Sequence, residues 1–339
     1  MRRNWALLWH PEDSELAAAL PLLPPQQVRR GPVALAVQDS FAQTADSKAI
    51  GAFDGVVFND RQVAEPLIGR GAPIRDHASL VLHAVGWNGP QGLATLRWHG
   101  TLAIVHQAQR SAIVARDWQG VGGLYWAPWG AGQAFANSRA GLTGLGLHSR
   151  LVPPGMAAIC AASGVQWQPM ATHAEARGWF RELPDECAAP TAALWQDGLM
   201  QRLSDAVAAC QRTYPRLQQD APSDRTGAWL AQHFPIAPAL AADALWTLAG
   251  ADAWLGLSPA EPLPPEPGPW PPPEPAEPLR VGDQEARARR VRATWLADVA
   301  LETARMRALA LDLPIVAPHL DPAVLAWLGA MPRELRPVP

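Results

Sequence analysis

Short apolar runs, bounded by polar, glycine or proline residues, recur through the first 160 residues of the chain. Such runs between turn-forming residues are typical of buried strands. The pattern predicts strands at residues 5–9, 33–37, 56–58, 102–105 and 111–115. Two further segments, 62–69 and 78–87, carry apolar residues at helical spacing. The last two strands are predicted to pair as a hairpin, so residues 1–160 are predicted to form an α+β unit dominated by short strands.

The pattern becomes helical after about residue 185. Residues 191–212 form the clearest amphipathic segment, in which apolar side chains recur at helical spacing: Leu194, Leu199, Leu203, Val207 and Cys210. Proline and glutamate then fill residues 259–278, where helices and sheet ladders are excluded. We interpret this segment as an exposed polyproline II connector, with a ligand for a proline-recognition domain as the alternative. Residues 186–339 are therefore predicted to form a second, mainly helical domain.

Charge and composition limit the partners, the chemistry and the cellular location that we expect for the chain. The formal net charge is −3, which favours neither nucleic acid nor a membrane surface as a partner. Lys48 is the only lysine, so chemistry that needs an ammonium group has one candidate. The cysteines (Cys160, Cys187 and Cys210) are too few and too scattered for a disulfide framework or a zinc site. The apolar stretch near residue 5 is too short for a signal peptide, and we expect a cytoplasmic protein.

One stretch, residues 115–145, carries a more specific pattern. Arg116-Asp117 is followed by glycine turns, by Tyr125-Trp126 and by Phe135-Ala136-Asn137-Ser138. This order resembles the RDxxGxxPLYY…FASExKAL signature of asparagine-synthetase-like amidotransferases. Four more strings follow the family's order in this half: residues 57–60 resemble the end of "NGEIYN", 74–83 resemble "SDTExLLH", 93–105 resemble "LxxLnGmFAfa", and 152–155 resemble "VPPG".

The second half resembles the same family more thinly. Residues 248–256 resemble the "LSGxGADELFGGY" loop, and residues 313–321 resemble "LEVRVPFLD". β-Lactam synthetases and lasso-peptide cyclases belong to this family too. The resemblance implies an N-terminal class II glutaminase-like (Ntn-type) β-rich domain at residues 1–160. It implies a reduced, mainly helical asparagine-synthetase-like domain at residues 186–339.

The glutaminase chemistry of that family requires an N-terminal cysteine as nucleophile. The second residue here is Arg2, and no cysteine precedes Cys160. The resemblance places Asn59 at a position that helps the oxyanion hole and Asp76 at one that holds the glutamine amine. The alternatives are a turn residue for Asn59 and a helix N-cap for Asp76, which we favour because the nucleophile is missing. No residue is assigned a catalytic role.

The synthetase chemistry requires a pyrophosphate-binding loop, SGGxDS in the family, whose backbone N–H groups surround the phosphates. No such string occurs, and its expected place holds residues 212–226. Gly250 and Asp252 are what remains of the nucleotide loop. The glutamate and arginine of the last motif fall on Pro314 and Val316. Arg287, Arg290 and Arg305 could replace the family's lysine, although a solvated helix face is the expected setting of all three.

Two hypotheses of different class follow. The first is a pseudoenzyme without cofactors that binds a protein partner or peptide substrate in a modified-peptide or amino-acid-derived biosynthetic pathway. Tryptophans expected to be partly exposed (Trp118, Trp129 and Trp270) favour it, because binding surfaces use exposed aromatics. The second is an amide-forming enzyme that uses ATP and Mg²⁺ and has a reduced or partner-completed site. A metal-dependent hydrolase has little support, because the histidines form no HxH or HExxH motif.

Overall fold

The computed structural model describes residues 4–38, 41–44, 48–170, 192–220, 225–236, 241–251 and 301–330. Contacts between residues divide the chain into two units, Met1–Glu175 and Ala176–Pro339. The proline-rich segment 259–278 lies outside the described residues, as do Cys187, Asp252, Trp270, Arg287 and Arg290.

The first unit contains two six-stranded antiparallel sheets. In chain order its strands are β1 (Trp5–Trp9), β2 (Gln26–Arg30), β3 (Val33–Val37), β4 (Ala42–Gln43), β5 (Ala49–Val57), β6 (Trp98–His106), β7 (Ser111–Arg116), β8 (Tyr125–Trp129), β9 (Gly132–Ala136), β10 (Arg150–Leu151), β11 (Met156–Ala161) and β12 (Gly164–Pro169). The first sheet has the order β10-β8-β9-β1-β3-β2, and the second has the order β12-β11-β7-β6-β5-β4.

Helices cover the outer face of each sheet. They are α1 (Asp13–Ala19), α2 (Asp60–Gly69), α3 (His77–Asn88) and α4 (Arg139–Thr143). Leu16 of α1 and Leu142 of α4 pack in one apolar cluster with Leu8 of the first sheet. Val85 of α3 packs in another cluster with Leu102 of the second sheet. The helices therefore bury the outward-facing apolar side chains of the two sheets.

The inner faces of the two sheets pack against each other. The Trp9 indole Nε1 of β1 donates a 2.8 Å hydrogen bond to the Ala161 carbonyl of β11. The rings of Phe135 in β9 and Trp167 in β12 lie 5.6 Å apart. The order of layers is thus helix, sheet, sheet, helix, and the β-rich α+β prediction for this half is confirmed.

Single elements agree with the sequence pattern to different degrees. The strands predicted at 5–9 and 33–37 have these bounds in the structure, and the hairpin of β6 and β7 is confirmed. The strand predicted at 56–58 is the end of a longer strand that begins at Ala49. Strands β11 and β12 were not predicted, and β12 continues the second sheet to Pro169.

The second unit contains helices and a small parallel sheet. In chain order, the elements among its described residues are α5 (Ala192–Thr213), β13 (Leu217–Gln219), α6 (Arg225–His233), β14 (Ala244–Trp246), α7 (residues 301–310), β15 (Ile315–Val316) and α8 (Pro322–Ala330). Helix α5 confirms the prediction for residues 191–212. The mainly helical prediction is incomplete, because β13, β14 and β15 pair in this order as parallel strands.

Among the described residues, no helix combines the length and the apolar character needed to cross a membrane.

Candidate functional site

Asn59 lies at the end of β5, immediately before α2, and its side chain is almost completely buried. Its Nδ2 donates a 2.9 Å hydrogen bond to the Thr95 carbonyl. Its Oδ1 accepts a 2.8 Å hydrogen bond from the backbone N–H of Arg97. Both ends of the amide therefore bind the segment that leads into β6. The turn position expected for Asn59 is what the structure shows, and the amide joins two parts of the same domain.

Asp76 is the N-cap of α3. Its Oδ1 accepts a 2.8 Å hydrogen bond from the Ser79 N–H, and the Ser79 hydroxyl accepts one of 3.0 Å from the Asp76 N–H. This reciprocal pair is a capping box, which satisfies N–H groups that the first turn of a helix leaves without partners. The N-cap predicted for Asp76 is observed.

A carboxylate and an imidazole join the starts of α2 and α3. The Asp60 Oδ2 atom lies 3.4 Å from the Nε2 of His77. The Nδ1 of His77 accepts a 3.0 Å hydrogen bond from the Val57 N–H at the end of β5. An Nδ1 that accepts carries no proton, so the ring proton of the neutral imidazole lies on Nε2, towards Asp60. Both ring nitrogens are occupied, and this arrangement positions the strand and the helices rather than moving protons.

A second polar group connects the two sheets at the start of β1. The Trp5 N–H donates a 2.9 Å hydrogen bond to the Oδ1 of Asn137. The Nδ2 of Asn137 then donates a 3.1 Å hydrogen bond to the Oδ2 of Asp54 in β5. The sequence analysis named Asn137 only as part of the stretch 115–145, without a role, and did not name Asp54. The sequence feature that could have drawn attention to Asp54 is a charged residue, followed by Gly55, inside the otherwise apolar run of β5.

The start of β1 carries no nucleophile. Residues 1–13 contain no cysteine, serine or threonine. The thiols of Cys160 in β11 and Cys210 in α5 are fully buried. Burial raises the pKa of both thiols, and both therefore remain protonated and unreactive at neutral pH.

Arg116 and Asp117 organise the loop between β7 and β8, within the stretch 115–145. The guanidinium of Arg116 is completely buried and donates three hydrogen bonds of 2.6 Å, to the carbonyl oxygens of Gly120, Gly122 and Val152. The Asp117 carboxylate accepts from the N–H groups of Val121 and Gly122 at 3.0 and 2.9 Å. Burial raises the pKa of Asp117, while Arg116 and these N–H groups act in the opposite direction. The pair shapes a loop and leaves no group for chemistry.

In the second unit, the parallel sheet brings together three segments that the sequence analysis singled out: the two synthetase-like strings and the expected place of the pyrophosphate loop. Segment 212–226 contains β13, the nucleotide-loop string follows β14, and segment 313–321 contains β15. Because the strands are parallel, the segments that follow them start at one edge of the sheet, which we call the carboxyl edge. Ligands of open α/β sheets bind at such edges.

The loop after β14 is held to the segment after β15. The Thr247 N–H donates a 3.0 Å hydrogen bond to the Val316 carbonyl, and its Oγ1 accepts one of 3.2 Å from the Ala249 N–H. The Nε2 of the buried His319 lies 3.2 Å from the Ala249 carbonyl. Gly250 follows with a φ of +88°, which favours glycine. Its sequence partner Asp252 lies outside the described residues.

The carboxyl edge also carries an ion pair that was not predicted. Asp220 directly follows β13, and its carboxylate pairs with the Nη1 of Arg307 in α7. The Asp220 N–H donates a 2.7 Å hydrogen bond to the Trp246 carbonyl.

The prediction that Arg305 lies on a solvated helix face is wrong. Its side chain lies on the buried side of α7, is only 4% exposed and pairs with Glu302 at 3.1 Å.

The described residues contain no group of three or more histidine, cysteine, aspartate or glutamate side chains arranged to hold a metal ion.

No family of known proteins and no curated protein matches the chain. Among solved structures, the chain is similar to glutamine phosphoribosylpyrophosphate amidotransferase from B. subtilis complexed with ADP and GMP, at 12% identity and a TM-score of 0.40, covering 74% of this chain and 77% of that one. It is similar to a structure described as the allosteric regulatory enzyme of purine biosynthesis, at 13% identity and a TM-score of 0.38, covering 75% and 70%.

A third similar structure is a glutamine aminotransferase class-II domain protein from Silicibacter pomeroyi. The identity is 15% and the TM-score is 0.31, with coverage of 50% of this chain and 92% of that chain. The relation to asparagine synthetases remains a prediction from the sequence strings.

Proposed function

We propose that this chain is a degenerate class II glutamine-amidotransferase-like protein of the asparagine-synthetase type, without catalytic activity of its own. It acts as a binding or accessory subunit in a pathway that makes a modified peptide or an amino-acid-derived product. One observation carries the proposal. The side chains at the two expected glutamine-pocket positions, Asn59 and Asp76, form hydrogen bonds that hold their own domain together.

The chemistry of the first unit supports the same function. Glutamine hydrolysis by this class of enzyme needs an activated nucleophile at the glutaminase site. Residues 1–13 offer no thiol or hydroxyl group, and the thiols of Cys160 and Cys210 are buried and protonated. None of these groups can therefore form the thioester with glutamine that the hydrolysis requires.

Groups of the chain itself occupy the described part of the carboxyl edge where a phosphate would bind. A pyrophosphate loop offers backbone N–H groups and positive potential. Here the N–H of Asp220 is used by Trp246, and a carboxylate stands directly after β13. Because this carboxylate already pairs with Arg307, a phosphate group would have to displace it to bind there, and the arrangement favours binding without adenylation.

Partly exposed aromatic rings are available for contact with a partner, although Trp118 packs against the cluster of the second sheet and Trp129 against that of the first. Trp118 and Trp129 are both partly exposed, as predicted, and Trp126 of β8 is partly exposed as well. Tryptophans are enriched among the residues that dominate binding energy at interfaces. A protein partner or a peptide substrate is the expected ligand, and no cofactor is required.

The alternative function is an ATP-dependent amide-forming enzyme with a reduced or partner-completed site. A specific observation favours it: the two synthetase-like strings and the expected place of the pyrophosphate loop meet at one edge of a parallel sheet, with Gly250 at a turn beside Thr247 and His319. ATP and Mg²⁺ would be its cofactors.

On the full chain, titration with ATP separates these functions, and a glutaminase assay tests the absence of glutamine hydrolysis, which both functions imply. Isothermal titration with Mg-ATP, and a glutaminase assay that follows glutamate release, are both expected to give no signal. ATP binding together with amide formation by the isolated chain would replace the proposal by the alternative. Affinity capture from the native organism is then expected to recover one reproducible partner, and a protein that is consistently recovered alone contradicts the accessory role.

A further inference from the structure

Two ion pairs lie at opposite ends of the parallel sheet of the second unit. At the amino end, Arg216 precedes β13 and Asp243 precedes β14. Their side chains form a two-pronged pair, with distances of 2.6 Å from Nη2 to Oδ1 and 3.2 Å from Nε to Oδ2. At the carboxyl edge, Asp220 pairs with Arg307 of α7. The two pairs differ in geometry and in exposure, although the charged groups are of the same kind.

The pair at the carboxyl edge is incomplete as an arginine–carboxylate contact. The contact uses one guanidinium nitrogen of Arg307. A guanidinium has five N–H donors, arranged as a fork that can bind two oxygen atoms at once. The Asp220 side chain is 11% exposed, whereas that of Arg307 is 44% exposed. The carboxylate is therefore enclosed and the guanidinium faces solvent, with donors left over for a second oxyanion.

We propose that Arg307 is an oxyanion-binding group of the carboxyl edge and that the Asp220 carboxylate occupies it from within the chain. An external phosphate or carboxylate group binds there only in competition with Asp220. The inference deepens the proposed binding function and rests on it, because it names the ligand chemistry of the second unit. Pairs with an exposed partner contribute little free energy, which makes this contact displaceable.

The test compares Asp220→Asn with Asp243→Asn and with the unchanged chain by isothermal titration. Inorganic pyrophosphate and citrate are the probes, so that phosphate and carboxylate ligands are distinguished. Asp220→Asn is expected to bind one of the probes about tenfold or more tightly than the unchanged chain, because removing the competing carboxylate frees a charged donor fork. Asp243→Asn frees an arginine at the other end of the same sheet and is expected to show no such gain.

The gain must depend on Arg307. The double variant Asp220→Asn, Arg307→Gln is expected to lose it, and retention of the gain overturns the inference. Equal affinity of the unchanged chain, Asp220→Asn and Asp243→Asn for both probes overturns it too. Circular dichroism checks the fold of each variant.

A second measurement needs no variant. Phenylglyoxal labels exposed arginines, and the mass of the peptide containing Arg307 reports its modification in the unchanged chain. High concentrations of pyrophosphate or citrate, whichever binds in the titrations, are expected to slow labelling of Arg307 and to leave labelling of Arg216 unchanged. Equal slowing at both arginines contradicts the inference. Amide formation from ATP by the unchanged chain would defeat the proposed function instead, and would leave the competition between Asp220 and an external oxyanion to be decided by the titrations.

Discussion

Arg116 and Asp117 are adjacent in sequence and bind the same loop through its opposite polar groups. Arg116 donates to carbonyl oxygens of the loop and to that of Val152, while Asp117 accepts from loop N–H groups. Neither side chain has measurable contact with solvent. The two charges therefore compensate each other in the interior, and each depends on the other.

Replacing Arg116 by Met is expected to lower the free energy of unfolding of the first unit by about 3–5 kcal/mol. Three buried carbonyl groups lose their donor, and the Asp117 charge loses its partner. Urea denaturation followed by tryptophan fluorescence measures the change. Arg150→Met, at an exposed position of β10, is the control and is expected to stay within about 0.5 kcal/mol of the unchanged chain. Equal stabilities of the two variants would show that Arg116 has no such role.

Gly100 is expected to tolerate no side chain. Its φ is +121°, and a Cβ there would lie 2.0 Å from the Asp54 carbonyl oxygen and 2.7 Å from the Gly55 Cα. Gly100→Ala should therefore cost about 3 kcal/mol or more, through backbone strain and overlap with rigid backbone. Gly69→Ala is the matched control, because a Cβ there meets nothing within 4 Å. It is expected to leave stability unchanged or raise it by about 0.5–1 kcal/mol. Thermal unfolding of both variants decides the matter.

Asp76 offers a test that separates capping from ligand binding. Asp76→Ala is expected to cost about 1 kcal/mol, whereas Asp76→Asn should cost little, because asparagine also caps helices. Glu12→Ala is the control, since Glu12 is the N-cap of α1 and makes no side-chain capping bond. Titration with glutamine is expected to give the same absence of heat for Asp76→Asn and the unchanged chain. A loss of glutamine binding in Asp76→Asn, without a change in Tm, would restore the pocket role.

The stability of the first unit is expected to fall on acidification through His106, the last residue of β6. Burial lowers the pKa of His106, so the folded protein holds the imidazole neutral at a pH at which the unfolded chain binds a proton. Its stabilising contribution is present above about pH 6.5 and is lost as the pH falls through that value towards the lower pKa of the fold.

The measurement is Tm as a function of pH, between about pH 7.5 and 5. His106→Gln is expected to flatten the decrease of Tm over that range. His148→Gln, at an exposed position, is expected to leave it unchanged. A His106→Gln curve parallel to that of the unchanged chain contradicts the prediction.

The strands that the sequence predicted are those whose apolar runs are buried along their length. β1 and β3 are buried at every position, and their bounds follow from the pattern alone. β2 was not predicted from the sequence, because its residues, Gln26–Arg30, lie at the edge of a sheet and none of them is fully buried. β13, β14 and β15 have two or three residues each, which is too short for any periodicity to show.

In the candidate site, contacts between residues close in sequence could be predicted, whereas contacts between distant residues could not. The N-cap role of Asp76 depends on residues within one helical turn and could be predicted. The contact between Asp54 and Asn137 joins positions 83 residues apart. It depends on how the two sheets pack, so no local pattern contains it. Asp220 and Arg307 are separated by 87 positions and were missed for the same reason.

The order of strands in the second unit has a consequence for how the chain folds during synthesis. β14 lies between β13 and β15, and 68 residues separate Trp246 from Ile315. Closing a loop of that length costs roughly 4 kcal/mol of chain entropy before the last pairing contributes anything. Leu245 and Trp246 thus leave the ribosome with one neighbouring strand available and wait for the other until residue 316 has emerged. Over that interval one side of β14 is an open edge, and the second unit is most exposed to mispairing then.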